Sequence, residues 1–246
     1  MAKSKALVKK EASGGLSKLS EAGQKAVASH AMTADNIIIP RILLMQAMSE
    51  KVTQGEAKFG ELRDTLENKM HGNEANPLEV IPFHSFETIA VQEVTSAGRR
   101  FVANLPARGN EGKAYEETVD GKNLINMYTC NIYCLLPQEI AEGMDLPYLL
   151  TFRSTSVRCG KKINTIMYMR NLAAGRDPWA AVIKLSVTKT QNDKGTFGVF
   201  DVARQRASTP EEMARCAHWF NVVHAGKTEI AEEKEAEPAP VSDGRY

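Results

Sequence analysis

Residues 179–202 carry the pattern that most restricts how this chain can fold. Apolar side chains recur at every second position from Trp179 to Val187, as they do on a strand with one buried face. The run Gln191-Asn192-Asp193-Lys194-Gly195 then supplies turn residues, and residues 196–202 form a second strand-like run. The segment predicts an antiparallel β-hairpin, with Lys184 on the face opposite Ile183 and Leu185.

Further strand-like runs precede the hairpin. Residues 37–45 predict an edge strand, or a strand leading into a short helix, because Pro40 cannot donate a ladder hydrogen bond. Residues 58–64 predict a turn and a short strand, and residues 124–136 predict a central strand. Other strands are expected at 77–83, 87–94 and 146–152, and residues 96–122 are expected to form a long exposed loop or a hairpin.

Two segments predict helices. Ser154, Thr155 and Ser156 offer N-cap hydroxyls before a run with apolar residues at roughly helical spacing, which extends to Gly175. The run Thr209-Pro210-Glu211-Glu212 has the residues of a capped helix start, and Gly226 is expected to end that helix. The chain is thus expected to form one β-rich α+β domain, residues 36–226, with two or three helices.

The two ends of the chain have compositions typical of disorder. Residues 1–35 contain six lysines and few large apolar side chains, which predicts a basic arm. Residues 227–246 predict a disordered acidic tail. Residues 229–246 contain six acidic and two basic side chains, a net charge of −4, and the tail ends at Tyr246. Such a tail is either a solubilising segment or an occupant of a basic groove that nucleic acid displaces.

Several function classes have no support in the sequence. The longest apolar runs are far shorter than the ~20 residues of a membrane span, and the N-terminus lacks the apolar part of a secretory signal. The four cysteines show no paired-motif spacing and are expected to be free thiols in a reducing compartment. Cys130 and Cys134 would lie ~13 Å apart on a strand, which predicts two core thiols and no metal site. No phosphate loop, nucleophile elbow or zinc-protease helix occurs, so we expect no enzyme activity and no cofactor.

The central part of the chain is strongly basic although the whole protein has a net charge of only +1. Residues 153–194 contain nine basic and two acidic side chains, a local charge of +7. Such a cluster neutralises phosphates and releases their counterions, unless acidic groups from elsewhere in the fold pair with it. Aromatic side chains that could stack on bases or fill a core are interleaved with it, namely Phe152, Tyr168, Trp179, Phe197 and Phe200.

The arrangement of residues 152–162, 179–202 and 229–246 resembles that of the single-stranded DNA-binding proteins of tailed bacteriophages. The resemblance implies an OB-like antiparallel barrel that binds single-stranded DNA without sequence preference during phage replication or recombination, in the cytoplasm of a bacterial host. It differs in that Arg245 interrupts the acidic run and a basic arm precedes the domain. The implied nucleic-acid-binding residues are Arg153, Arg158, Lys161, Lys162, Tyr168, Trp179, Lys184, Lys189, Lys194, Phe197 and Phe200.

The resemblance also implies a docking role for the tail, through Glu232, Glu233, Glu235 and Tyr246, towards replication or recombination proteins. The resemblance is compatible with a homo-oligomer and implies no membrane partner. Two alternatives stay open at this point. One is a recombination protein that anneals single strands, and the other is a phage structural or protein-interaction protein.

Overall fold

The fold is given by a computed structural model, which describes residues 38–96, 98–192 and 195–225. The basic arm, residues 1–35, and the acidic tail, residues 227–246, lie outside these ranges, so both stay predictions. In chain order the strands are β1 (Arg41–Leu44), β2 (Leu62–Asp64), β3 (Met70–Gly72), β4 (Leu78–Thr95), β5 (Gly98–Pro106), β6 (Glu116–Val119), β7 (Lys122–Leu135), β8 (Tyr148–Arg153), β9 (Ala181–Asn192) and β10 (Gly195–Ala207).

Four α-helices lie among the described residues, more than the two or three that the sequence predicted, and two of them are only four and five residues long. They are α1 (Glu50–Thr53), α2 (Pro137–Ala141), α3 (Val157–Asn164) and α4 (Pro210–Ala225). A 3₁₀ turn, Ser154–Ser156, precedes α3, and a π-helix, Thr165–Asn171, continues it. None of the helices in the described ranges has the length and apolarity that crossing a membrane requires.

The ten strands form one sheet that curls strongly into a half-barrel. Its order is β10-β9-β4-β7-β8-β1-β2-β3, while β5 adds to β4 and β6 adds to β7. The β1–β8 pairing is parallel, and the other pairings are antiparallel. The sequence expectation of a β-rich fold is confirmed, together with a barrel-like curvature.

Each face of the sheet packs against one of the longer helices. The inner core joins strand residues such as Val80, Ile132 and Ile183 to Ile163 of α3. A second core, on the opposite face, joins residues such as Phe83 and Tyr133 to α4. Cys130 and Cys134 are free thiols buried in the inner core on one face of β7, as the sequence predicted. Burial raises the pKa of the Cys130 thiol to about 11, so the thiol stays protonated at neutral pH.

Strand β4 replaces two strands that the sequence predicted at 77–83 and 87–94. The chain stays in one strand because residues 84–86 continue the pairing with β7 after a β-bulge at Phe83. Pro82 pairs with Cys134, and His84 pairs with the preceding residue, Tyr133. The extra residue lets both Phe83 and His84 pack on the α4 side, where His84 stacks on Tyr133. Burial and the neighbouring His224 lower the pKa of His84 to about 4, so its ring is neutral at physiological pH.

Strand β1 lies inside the sheet, between β8 and β2, so the first alternative predicted for residues 37–45, an edge strand, is wrong. The second alternative, a strand that leads into a short helix, agrees with the order of β1 and α1. Pro40 lies just before the strand, where its missing N–H costs no ladder bond, and its carbonyl accepts a hydrogen bond from the Leu149 N–H. The proline therefore marks the beginning of β1 and does not indicate whether β1 has one or two neighbouring strands.

Strand β10, at one end of the sheet, contacts a side chain that follows β1, although four strands lie between β10 and β1 in the sheet order. The Gln46 side-chain amide follows β1 and bonds to both backbone groups of Gly198 on β10: Nε2 donates to the carbonyl at 3.1 Å, and Oε1 accepts from the N–H at 2.8 Å. A Cβ at Gly198 would lie 3.2 Å from Leu44 Cδ2, so the close approach favours glycine. Next to this contact, the Cys159 thiol of α3 donates to the Phe200 carbonyl.

The sequence predicted the beginning of α4 correctly. The Thr209 hydroxyl accepts a hydrogen bond from the Glu212 N–H, and the Glu212 carboxylate accepts one from the Thr209 N–H, which is a capping box. Arg206 donates two bonds to the same carboxylate, at 2.6 and 2.8 Å. Gly226, the expected end of the helix, lies outside the described residues.

Residues 96–122, expected as a loop or a hairpin, supply the two strands β5 and β6. Each has one strand partner among the described residues. Together with the residues of β4 and β7 that they pair with, β5 and β6 form the four-strand extension, in the order β5-β4-β7-β6. A small core of its own, around Ile89, Val91 and Ala107, packs on one face of this extension.

Candidate nucleic-acid interface

The basic residues of α3 lie on the surface because the opposite side of the helix is pressed against the sheet. Gly160 makes the close approach possible, since a Cβ there would lie 2.7 Å from Cys130 Sγ and 2.8 Å from Cys130 Cβ. Ile163, Ile166 and Met167 continue this buried side into the inner core. The three basic side chains that α3 itself carries, Arg158, Lys161 and Lys162, occupy the exposed side at i, i+3 and i+4 spacing.

The contacts of these cations leave them accessible to solvent. Lys161 Nζ lies 5.5 Å from the centre of the Tyr128 ring, within the range of a cation–π contact. Lys162 Nζ lies 3.5 Å from Asp201 Oδ1, and both side chains are more than half exposed. Exposed ion pairs of this kind contribute at most about 1 kcal/mol. A phosphate could therefore compete with Asp201 for Lys162.

Tyr168 lies further along the same helical segment, on the π-helix. Its ring is 37% exposed, and its hydroxyl accepts a hydrogen bond from Ser85 Oγ at 3.4 Å. The neighbouring side chains of Met169 and Leu172 are also largely exposed. This end of the segment offers an aromatic ring and apolar contact area next to the cations of α3.

Two of the predicted cations lie on the other face of the sheet. Arg153 pairs with Thr129, so it points away from the Phe152 face on which α3 packs. Lys184 shares its face of β9 with Val182, which belongs to the α4-side core, and Glu79 of β4 is its neighbour in register. The structure therefore separates Arg153 and Lys184 from Arg158, Lys161 and Lys162.

The prediction of one apolar and one basic face for β9 is wrong over the first half of the strand. Ala181, Ile183 and Leu185 are buried on one face, and Val182 is completely buried on the other. The reason is that α4 covers the second face, which sequence alternation alone did not reveal. Only the distal half of β9 exposes its side chains.

Lys189 projects from that distal half. Its Nζ lies 3.4 Å from Glu74 Oε2 and 5.7 Å from the centre of the Phe59 ring. Phe197, on the neighbouring strand, is partly buried and pairs with Thr190. Lys194, in the turn between the strands, lies outside the described residues.

Two of the predicted stacking residues take part in core packing. The Phe200 ring lies 5.2 Å from the Phe152 ring, edge to face, beside the inner core. The Trp179 ring lies 5.4 Å from Phe220 of α4, in the opposite core. Tyr168 is the predicted stacking residue that belongs to the same helical segment as the cations of α3 and is exposed. The predicted docking residues Glu232, Glu233, Glu235 and Tyr246 lie outside the described residues.

Sequence reasoning missed a cluster of buried polar side chains between β2, β3 and α2. His71 Nε2 lies 2.9 Å from Asp64 Oδ2, and Tyr148 donates a hydrogen bond to the Glu139 carboxylate. Lys69 pairs with the same carboxylate at 3.2 Å, and a pocket of about 270 Å³ adjoins the cluster. These residues come from distant segments of the chain, and no sequence motif predicts contacts between segments so far apart. The cluster therefore could not be predicted from the sequence.

The Asp64 carboxylate in this cluster is held by its own turn. The backbone N–H groups of Leu66, Glu67 and Lys69 donate to it. Burial alone would raise the pKa of Asp64, but these N–H groups and His71 outweigh burial and lower it. Among the residues that the structure describes, no group of three or more His, Cys, Asp or Glu side chains has the geometry of a metal site.

Comparison with known protein families identifies a match. The model of the family described as Pam3 phage gp34-like protein matches residues 9–229, which is most of the chain and includes every described strand and helix. No curated protein and no solved structure matches.

Proposed function

The chain belongs to the Pam3 phage gp34-like protein family, and on that premise we propose that it is a non-enzymatic, sequence-tolerant single-stranded DNA-binding protein of phage replication or recombination. We assign the contact surface to the helical segment 154–176, formed by the 3₁₀ turn, α3, the π-helix and the residues that follow. The barrel-like β fold is compatible with an OB-fold, which stays part of the proposal.

The observation that carries the proposal is the charge of this segment. It contains five basic side chains and no acidic one, and all five are exposed: Arg158, Lys161, Lys162, Arg170 and Arg176. Five cations on one short segment create a local positive potential that attracts a polyanion, and their binding to phosphates releases condensed counterions. Lys162 pairs with the exposed Asp201, and that ion pair is weak enough for a phosphate to replace it.

Tyr168 supports a single-stranded partner over a duplex. Its exposed ring is anchored at the hydroxyl by Ser85, so the ring face can be offered to an unpaired base at little entropic cost. Base stacking on an aromatic ring contributes about 1–3 kcal/mol per base and does not depend on sequence. Bases in a duplex are already stacked on each other and cannot make this contact.

The test is a titration of the full chain into a labelled oligothymidylate of about 30 nucleotides, roughly two to seven site sizes for a stacking platform. We expect binding at low salt, and weaker binding to a duplex of equal length. The triple variant R158A/K161A/K162A should bind at least tenfold more weakly. A matched control, K58A/R108A/R204A, removes three exposed cations that lie elsewhere on the surface and should bind like the wild type.

The outcomes separate the proposal from its rivals. Failure of the full chain to bind the oligomer at low salt would exclude single-stranded DNA binding. Equal loss in both triple variants would mean that only total charge matters and that α3 is not the site. An RNA oligomer of the same length, titrated in parallel, compares the two kinds of nucleic acid directly.

One observation favours the alternative of a phage structural or protein-interaction protein. The four-strand extension exposes large apolar side chains on both of its outer strands, including Phe101 at 41%, Val102 at 49% and Val119 at 43%. Exposed apolar side chains that cluster on one part of a surface often mark a protein contact. The two functions are compatible if this contact lies away from α3.

A further inference from the structure

The two outer strands of the four-strand extension carry opposite charges. Residues 98–108, which contain β5, include three arginines and no acidic residue, a net charge of +3. Residues 111–120, which contain β6, include four carboxylates and one lysine, a net charge of −3. The basic edge and the acidic edge lie on opposite sides of the same extension, separated by β4 and β7.

Both edges have backbone groups that could take another strand. Among the described residues, β5 pairs with β4 alone and β6 pairs with β7 alone. A strand with one neighbour presents alternate N–H and C=O groups along its other side. Many proteins protect such an edge by placing charges on it, and here the two edges carry charges of opposite sign.

We propose that copies of this chain join edge to edge, with β5 of one copy pairing with β6 of the next to continue the sheet. The like charges of two β5 edges repel each other, and so do those of two β6 edges. Only the pairing of β5 with β6 brings basic side chains near acidic ones. In that pairing the two arginines of the β5 edge lie near the two glutamates of the β6 edge, namely Arg99 and Arg100 near Glu116 and Glu117. The charges therefore select one of the three pairings.

Strand direction and length fit this contact. Each strand of the extension is antiparallel to its neighbour in the order β5-β4-β7-β6, so β5 and β6 run in opposite directions. A second copy displaced sideways across the strands would place its β6 antiparallel to the first copy's β5. A bulge at Val102 interrupts β5, and the regular stretch before it, residues 98–101, has the same length as β6, Glu116–Val119.

The contact joins different surfaces of the two copies, so the resulting dimer keeps one basic and one acidic edge free. Such a heterologous contact produces a ring if the rotation between copies closes, and a filament if it does not. The exposed apolar side chains Phe101, Val102 and Val119 lie on the paired strands and would lose solvent contact in it. This inference concerns the protein alone and does not depend on DNA binding.

The test is sedimentation velocity of the full chain without nucleic acid, across a range of protein concentrations and at low and high salt. We expect the wild type to sediment faster as its concentration rises at low salt, and to return towards monomer at high salt because screening weakens the charge attraction. The variant R99E/R100E, which disables the β5 edge, should be a monomer at all concentrations. The variant E116K/E117K, which disables the β6 edge, should also be a monomer.

Mixing the two variants gives the decisive result. R99E/R100E keeps its β6 edge and E116K/E117K keeps its β5 edge, so an equimolar mixture should form a dimer that cannot grow further. Recovery of association in the mixture also shows that both variants are folded. A matched control, R204E, reverses an exposed arginine on β10, the outer strand at the other side of the sheet, and should assemble like the wild type.

Three results would overturn the proposal. The first is a wild type that stays monomeric at low salt up to its solubility limit. The second is assembly that persists in either edge variant. The third is a mixture of the two folded variants, checked by circular dichroism, that contains monomers alone.

Discussion

Asp64 is the residue whose ionisation contributes most clearly to the stability of the cluster between β2, β3 and α2. Its carboxylate accepts three backbone N–H bonds and pairs with His71, so its pKa is lower in the folded than in the unfolded chain. A group with a lowered folded pKa contributes stability above its unfolded pKa, about 3.9, and loses that contribution as the pH falls through the folded pKa. His71, Glu139 and Lys69 also face this site.

The corresponding prediction concerns D64N. The substitution removes the charge that these donors stabilise, so we expect the free energy of unfolding at pH 7 to fall by about 2 kcal/mol. The variant should also lose less stability than the wild type between pH 7 and pH 3. Urea unfolding at several pH values measures both effects, with D120N at an exposed position as the control. A pH profile identical to that of the wild type would contradict the assignment.

Gly160 sets the distance between α3 and the sheet. A methyl group there would collide with Cys130 Sγ and Cβ, so we expect G160A to lower the free energy of unfolding by about 2 kcal/mol despite the better helix propensity of alanine. C130A removes the sulfur and should recover part of that loss in the double variant. Chemical unfolding of the two single variants and the double variant gives the coupling energy. Additive effects would mean that the two residues do not meet.

Among the elements, α3 has the most direct consequence for DNA binding. If Arg158, Lys161 and Lys162 each neutralise one phosphate, they contribute about 0.7 each to the slope of log affinity against log salt for a single strand. The variant R158A/K161A/K162A should therefore have a slope smaller in magnitude by about 2. Titrations at four salt concentrations measure this slope, and K58A/R108A/R204A should keep that of the wild type. An unchanged slope in the α3 variant would remove these residues from the interface.

Local signals predicted elements well where the physical cause is itself local. Thr209 and Glu212 determine the beginning of α4 through bonds within four residues, and the prediction there is confirmed. The predicted helix from Ser154 is present, although it passes through 3₁₀, α and π forms. The predictions that failed depend on distant partners: α4 covers the second face of β9, and β8 and β2 enclose β1.

The candidate site follows the same rule. The cations of 154–176 lie close together in sequence, and one helical segment places all five on the surface. The residues named from the sequence include Arg158, Lys161 and Lys162. Arg170 and Arg176 were counted only in the charge of the basic stretch. Lys184 and Arg153 belong to the same basic stretch of sequence, but strand alternation directs them to the other face of the sheet. The cluster of Asp64, His71 and Glu139 depends on strand pairing between distant segments, and no local pattern could reveal it.

At the scale of the whole molecule, the contact of Gln46 with Gly198 joins the segment after β1 to the outer strand β10. Q46A removes both hydrogen bonds between the Gln46 side chain and β10, so we expect the free energy of unfolding to fall by about 2 kcal/mol. The Gly198 N–H should exchange with solvent faster than in the wild type. The exchange rates of amides in the centre of β7 should keep the same ranking as in the wild type. Hydrogen exchange resolved by residue measures this, with Q138A at an exposed position of α2 as the control. Unchanged protection at Gly198 would mean that other contacts hold β10 in place there.

The same contact has a consequence for the time course of folding. Gln46 and Gly198 are 152 positions apart, and β1 takes its sheet neighbour β8 from the second half of the chain. Contacts across so long a loop form slowly because the entropy of closing the loop must be lost first. During translation β1 leaves the ribosome long before β8 and β10 have been synthesised. Until then the apolar β1 segment has β2 as a strand partner on one side and an open edge on the other. A chaperone that covers this edge during translation would protect it.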